Sequence, residues 1–282
     1  MNLIKTGFLL ILLTGLLLLV GAYFGGEVGI ILALGFALIM NFGAYWFSDR
    51  IALRMTHAKQ VSEESDPGLF ALVREQASLA GMPMPKVYEI QNESPNAFAT
   101  GRNPQHATLA VTTGIRSFLT REELSGVLAH EMAHVGNRDT LIMTVVATIA
   151  GAISMLALLA QFSAIFGGMG GDRGRGQGII GLLVVAIVMP IVATIIRMAI
   201  SRAREFQADA TGARTHGNPE ALARALEKLE MGSQARPMKV PEAASHLFIV
   251  NPLSGRSMAK LFSTHPPMEE RVRRLRNMPP NY

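Results

Sequence analysis

The 282 residues include no cysteine, which removes disulfides, thiolate metal sites and cysteine nucleophiles together. The redox compartment stays open, because a cytoplasmic domain has no use for bridges in any case. Charge is the second shortage. Charged side chains make up 17% of the chain, against about a quarter in ordinary soluble domains. The deficit is uneven: residues 1–48 and 140–200 carry only Lys5, Glu27, Asp172, Arg173, Arg175 and Arg197. Residues 49–139 and 201–282 have the charge density of a soluble domain. This division predicts a polytopic membrane protein whose water-facing domain is split in two along the chain. It excludes a disordered chain, a disulfide scaffold and a purely soluble enzyme. The net charge of +5 fits basic residues beside membrane spans, so nucleic acid is not an expected partner.

A spanning helix needs about 20 mostly apolar residues. Gly7–Phe24 and Ile30–Phe47 meet that requirement, separated only by Gly25–Gly29, and predict a tight N-terminal hairpin over 1–48. Leu141–Phe166 and Gly178–Ile200 predict a second hairpin over 140–200, joined by a glycine-rich, water-exposed loop. Val20-Gly21-Ala22 resembles a signal-peptide cleavage site, but the apolar run continues to Phe24 and a second span follows at once. Basic residues near span ends mark the cytoplasmic side. Lys5, Arg50, Arg54, Lys59, Arg202 and Arg204 all fall on one side, which places both termini and both halves of the soluble part (49–139 and 201–282) in the cytoplasm. Arg173 and Arg175 in the far loop run against this and are outnumbered.

The soluble halves read as mainly helical with a small sheet, an α+β arrangement. Residues 66–81 predict a helix capped by Asp66, with Leu69, Leu72, Val73 and Leu79 as its apolar face. Lys86–Ile90, Asn96–Thr100 and Ala107–Thr112 are short β-like runs. Thr120 with Glu123 is a capping-box signature that starts a helix at about Arg121. Pro219–Gly232 and Pro267–Asn277 predict two further helices.

The chemistry lies in the helix that begins at Arg121. His130-Glu131-Met132-Ala133-His134 is HExxH, and residues four apart on a helix share a face. Two imidazoles so placed can take one zinc ion, while Glu131, a fraction of a turn round, can act as general base on water held there. With seven histidines in the chain, the motif is a poor candidate for coincidence, although two surface histidines would be the bland alternative. Catalytic zinc takes three protein ligands and keeps one position open. The second hairpin returns the chain to the membrane face it left, which brings Glu205 back near His134. Asp209, one turn on, shares its face and could accept a proton from a ligand imidazole. The alternative for Glu205 is a surface ion pair with a neighbouring arginine.

HEMAHVGNRD, a hydrophobic hairpin, SRAREFQADATGA and FSTHPPMEERV, with PNAFATG upstream, together resemble the HtpX family of membrane zinc metalloproteases, relatives of the prenyl-protein endopeptidases. The resemblance spans nearly the whole chain. It implies a gluzincin-like fold, one zinc ion held by His130, His134 and Glu205, Glu131 as catalytic base, and quality control of misfolded or damaged inner-membrane proteins under stress. His265, in the HP segment, would steady an oxyanion or approach the metal, or be a plain turn residue. Asn96, Ala97, Phe98 and Ala99 would form an edge strand for a substrate backbone, or an ordinary sheet strand. His57, His106, His216 and His246 lack ligand spacing. Arg271, Arg273, Arg274 and Arg276 are expected to meet Glu269, Glu270 or lipid headgroups. The competing readings are a silent scaffold with structural zinc, a transporter, and prenyl-peptide processing.

Overall fold

The first 55 residues form one helical element, α1 (Asn2–Met55), interrupted at Gly26, whose φ of 52° and ψ of −135° leave the helical region. The structure, a computed structural model, describes residues 2–140, 142, 202–245, 247–252 and 266–279. The expected third and fourth spans (residue 142 apart), the loop between them, His246 and His265 lie outside these residues. At Gly26 the chain reverses, as the spacing of the first two apolar runs predicts. Gly21 and Gly29 then meet so closely that a Cβ on either would collide with the other's backbone. Asn41 Nδ2 donates to Thr14 Oγ1 at 2.8 Å and ties the two arms together. Within this hairpin Gly26–Phe47 is long and apolar enough to cross a bilayer; the first arm shows the shorter apolar helix Leu10–Leu19. The helix does not stop at residue 48. It continues to Met55, where Ala52 and Leu53 are buried, so the hairpin enters the soluble part without a linker.

The soluble part opens with a two-residue strand, β1 (Lys59–Gln60), and α2 (Pro67–Leu79). Asp66 accepts the Leu69 N–H and caps α2 as expected. Its buried face is Leu69, Leu72, Val73, Gln76 and Ala77. Leu79, assigned to that face from its spacing, is instead 55% exposed; α2 ends there and its last turn projects beyond the core. Strands β2 (Lys86–Ile90), β3 (Ala97–Thr100) and β4 (Thr108–Thr112) complete a sheet of order β1-β2-β4-β3. β2 and β4 are parallel, and β3 pairs antiparallel with β4 at the edge. A short helix, α3 (Thr113–Phe118), leads into α4 (Arg121–Gly136).

α4 starts with the capping box read from the sequence: Glu123 N–H reaches Thr120 Oγ1, and Thr120 N–H reaches Glu123 Oε2 at 2.8 Å. From Glu123 to Val135 every residue is buried. A helix enclosed on all sides must be packed all round, and α4 is covered by β3, by α2, and by two helices from the distant second half. These are α5 (Arg202–His216) and α6 (Pro219–Ala235). Lys228 of α6 pairs with Glu123 at 2.8 Å and joins the cap to its neighbour. Two glycines set how near the helices come. A Cβ on Gly126 would lie 3.0 Å from the Leu222 nitrogen, and one on Gly212 would lie 2.8 Å from the His130 nitrogen. The chain ends in α7 (Glu242–Ser245), a segment at 247–252 that runs beside β3, and α8 (Met268–Arg276).

Gly212→Ala should therefore lower stability by about 1–3 kcal/mol, the usual cost of overpacking a filled core. Chemical denaturation checks this. An unchanged midpoint would show that α5 has slack against α4.

Candidate metal centre

Helix α4 presents His130 and His134 on one face, and α5 presents Glu205, Asp209 and Gly212 at helical spacing on the face that meets it. Gly212 lets α5 lie against the His130 backbone, and the two side chains N-terminal to it then point at the imidazoles. His130 Nε2 and His134 Nε2 stand 3.2 Å apart. Glu205 Oε1 is 3.4 Å from His134 Nε2, and its Oε2 is 3.9 Å from His130 Nε2. One ligand atom from each of the three residues falls within 4.8 Å of the others, all buried. Thus the expected trio is brought together.

Each imidazole is held from behind. His130 Nδ1 lies 2.9 Å from Asp209 Oδ1, the orienting contact anticipated for Asp209. His134 Nδ1 lies 3.3 Å from Asp139 Oδ2, which sequence reasoning did not single out. Asp139 reaches back because Arg138 takes a left-handed φ of 59° just past the end of α4. With each Nδ1 facing a carboxylate, the Nε2 atoms are left to face one another. Two nitrogens and two carboxylate oxygens converging on one point in a buried pocket suit a cation, and two imidazoles with one carboxylate match a catalytic zinc donor set.

The electrostatics agree. For His134, burial favours the neutral ring, but Asp139 and Glu205 outweigh it and raise its pKa to about 10. His130, where burial dominates, is lowered. Burial pushes the Glu131 carboxyl up to about 7. For Asp209 burial works upward, but the Arg271 guanidinium outweighs it and holds the carboxyl down at about 2.

Arg271 corrects the sequence reading. It was expected to meet Glu269, Glu270 or lipid; it is instead 0% exposed and makes a two-pronged bond to Asp209, Nε to Oδ2 at 2.8 Å and Nη2 to Oδ1 at 2.7 Å. Its Nη2 also lies 3.6 Å from Glu205 Oε2. The signal was present: Met268, Arg271, Val272 and Leu275 form the inward stripe of α8, and a charge on such a stripe needs a buried partner. Arg273 and Arg274 do pair with Glu270, whereas Arg276 reaches Glu220 and Glu227 of α6. His57 and His106 are exposed and His216 is half-buried, all three away from the cluster.

Strand β3 lies over the site. Ala99 N–H donates to Glu131 Oε2 at 2.8 Å, so the general-base candidate is bonded to the candidate substrate strand. That strand is the sheet edge, yet it is buried throughout. Ile249 N–H donates to Ala97 C=O at 3.0 Å, Asn96 Nδ2 donates to Val250 C=O at 2.8 Å, and Phe98 stacks edge-on against Phe248. Asn96–Ala99, expected either as an edge strand for a substrate backbone or as an ordinary sheet strand, is thus an edge partly covered by 247–250.

Comparison with known proteins decides the family. Residues 63–279 match Peptidase family M48. The chain belongs to that family. It is 55% identical over 282 residues to a protein named Protease HtpX homolog from Persephonella marina, covering 99% of this chain and 98% of that one. The homologue of the same name from Syntrophobacter fumaroxidans is 53% identical over 277 residues, covering 97% and 98%. Family membership makes the chain a metallopeptidase. Among solved structures, the fold resembles Ste24p of S. mikatae, with a TM-score of 0.52 and 20% identity; the match covers 95% of this chain and 62% of that one.

Two outcomes follow for this centre. Arg271→Ala leaves Asp209 a buried anion with, among the described residues, only the His130 ring beside it and should cost about 3–5 kcal/mol in denaturation; a loss below about 1 kcal/mol would mean Asp209 finds another charged partner. The proton that His134 keeps up to about pH 10 must leave before its nitrogen binds metal, so affinity for Zn²⁺ rises with pH below that value. Calorimetric titration in buffers of different ionisation heat should find about one proton released near pH 8. An affinity that stays flat from about pH 6 to about pH 9 would contradict the assignment.

Proposed function

We propose that the chain is a multi-pass inner-membrane endopeptidase that holds one zinc ion at His130, His134 and Glu205. It cleaves misfolded or damaged membrane proteins on the cytoplasmic side as part of a stress response. The observation that carries the reading is the buried convergence of those three side chains, with His130 and His134 on the helix that also carries the buried Glu131 carboxyl, bonded to Ala99 N–H of β3. The long apolar arm Gly26–Phe47 and the basic residues at its far end support the membrane setting and the cytoplasmic orientation. Four spans, with both termini cytoplasmic, remain the arrangement that the two apolar hairpins favour.

Zinc at this site would supply Lewis acidity, polarising a peptide carbonyl and acidifying a water. The chain's own residues do the rest. Glu131 takes a proton onto its carboxylate and hands it to the departing amine, a role suited to a group titrating near 7. Asp209 and Asp139 each hold the Nδ1 of one imidazole, which leaves both Nε2 atoms free to take an ion, and Arg271 holds Asp209 in place. β3 would align the substrate backbone by strand addition; the incoming peptide then competes with Glu131 for Ala99 N–H and with Ile249 for Ala97 C=O. His265 would join as oxyanion donor.

Glu131→Gln tests the reading. Cleavage of casein or a membrane substrate by the full chain should fall at least about 10²-fold, the usual contribution of a positioned general base. Metal content and thermal midpoint should stay at wild-type values. Full activity in this variant would remove Glu131 from the mechanism; loss of the metal together with activity would make its role structural.

A further inference from the structure

Where the second arm of α1 leaves its apolar stretch, it meets the sheet across a small polar cavity. Tyr45, Trp46, Asp49 and Arg50 line it from the helix; Lys86, Arg102 and His106 line it from the strands and their loop. Its volume is about 160 Å³, several times the roughly 30 Å³ that a water occupies in the liquid. Three permanent cations border it against one carboxylate. That carboxylate, Asp49, accepts the Arg50 backbone N–H at 2.8 Å. Among the described residues, no ion pair joins Arg50, Lys86 or Arg102 to a carboxylate, although most other basic residues of the soluble part have one. The Arg102 guanidinium is held over the Trp46 ring, 4.5 Å from its centre, and Arg50 over Phe47 at 5.5 Å. Cation–π stacking orients these charges without neutralising them. Lys86 has its backbone pinned through its N–H to Ala107 C=O and its side chain exposed.

A second concavity begins where this one ends. Leu38, Ile39, Asn41 and Phe42 form an open groove of about 640 Å³ along the apolar arm, and Tyr45 and Trp46 line it too. The same two aromatic residues thus wall a cation-rich cavity on one side and an apolar groove on the other. Tyr and Trp sit at membrane interfaces because one end of each ring is apolar and the other wet. A soluble phosphate would fill the cavity and leave the groove empty. A phospholipid with an anionic headgroup fills both.

We infer that Arg50, Lys86 and Arg102 bind the phosphate of one anionic phospholipid, whose acyl chain lies in the Leu38–Phe42 groove against Tyr45 and Trp46. The inference rests on the membrane setting proposed above. It also gives the lipid a route to the active site, since Arg102 follows β3 by two residues and β3 carries the Ala99 bond to Glu131. Bound lipid would fix the end of the strand that a substrate has to join.

Trp46 is the chain's single tryptophan, so its fluorescence reports on this site alone. The full chain is reconstituted in phosphatidylcholine vesicles that contain a minor fraction of acyl-brominated lipid, either phosphatidylglycerol or phosphatidylcholine. Brominated phosphatidylglycerol should quench Trp46 more strongly than its phosphatidylcholine counterpart. The preference should fall about fivefold for each of Lys86→Gln and Arg102→Gln, and Arg102→Lys should keep it. Each readout is a ratio within one variant, so lost ring stacking does not enter. Equal quenching by the two brominated lipids in wild type would overturn the inference and leave the membrane reading intact. No quenching by either would overturn the membrane reading, and this inference with it. Should inorganic phosphate at matched ionic strength shift Trp46 emission while the two lipids quench alike, the ligand is a soluble anion and the lipid assignment is wrong.

Discussion

Four carboxylates (Glu131, Asp139, Glu205 and Asp209) crowd round two imidazoles where water scarcely reaches, and this excess of buried negative charge is the constraint that organises the molecule. Buried charges need partners. Arg271 answers Asp209 with two bonds and stands near Glu205, which settles part of the imbalance. His134 settles another part by holding a proton to about pH 10. The donor set that keeps it so tightly is the set that would take a divalent ion, which would answer the same buried negative charge.

That charge constraint needs a packing device, because the two imidazoles and Glu205 come from two helices well separated along the chain. Gly212 is the device. It sits two turns beyond Glu205 and one beyond Asp209 on a single face of α5, and its missing side chain is filled by the His130 backbone. Helix–helix approach and ligand geometry are therefore the same quantity seen twice. One turn back along α4, Gly126 does likewise against Leu222, and the Lys228–Glu123 pair locks the capping box to α6. Disturbing either contact would disturb the His130–His134–Glu205 cluster as well as the core.

Much of this was legible in the sequence because it is local. The capping box, the i,i+4 histidines and the Glu205–Asp209 repeat are each set within a few residues, where helix geometry leaves little choice. What was not legible depends on docking between distant segments. Arg271 looked like one of four surface arginines until α8 settled against α5, although its place on the apolar stripe marked it apart. Leu79 had the right spacing for the buried face of α2, but the helix outruns the core there. Asn96–Ala99 read either as an edge strand for a substrate or as an ordinary sheet strand, since nothing near residue 97 announces that residues 247–250 lie along it. Asp139 was passed over because a left-handed turn at Arg138, an uncommon choice for a non-glycine residue, is what brings it to His134.

β3 links these separate findings. Phe98 and Thr100 pair with β4, so Ala97 and Ala99 turn their backbone groups outward, and each is engaged by a different part of the molecule. Ala97 C=O holds Ile249, whose own carbonyl accepts from Arg271 at 3.3 Å. Ala99 N–H holds Glu131. Gly101, directly after the strand, accepts the Thr140 hydroxyl at 2.9 Å, where α4 gives way to the apolar stretch beyond. Arg102 then stacks on Trp46 of α1. Through these six consecutive residues the chain reaches Ile249 beside the buried ion pair, the Glu131 carboxylate, the Thr140 hydroxyl and the aromatic end of the N-terminal hairpin. A peptide that added to this strand would have to displace the first two contacts while the last two held, so Thr140 and Trp46 would fix where such a peptide could lie relative to His130, His134 and Glu205.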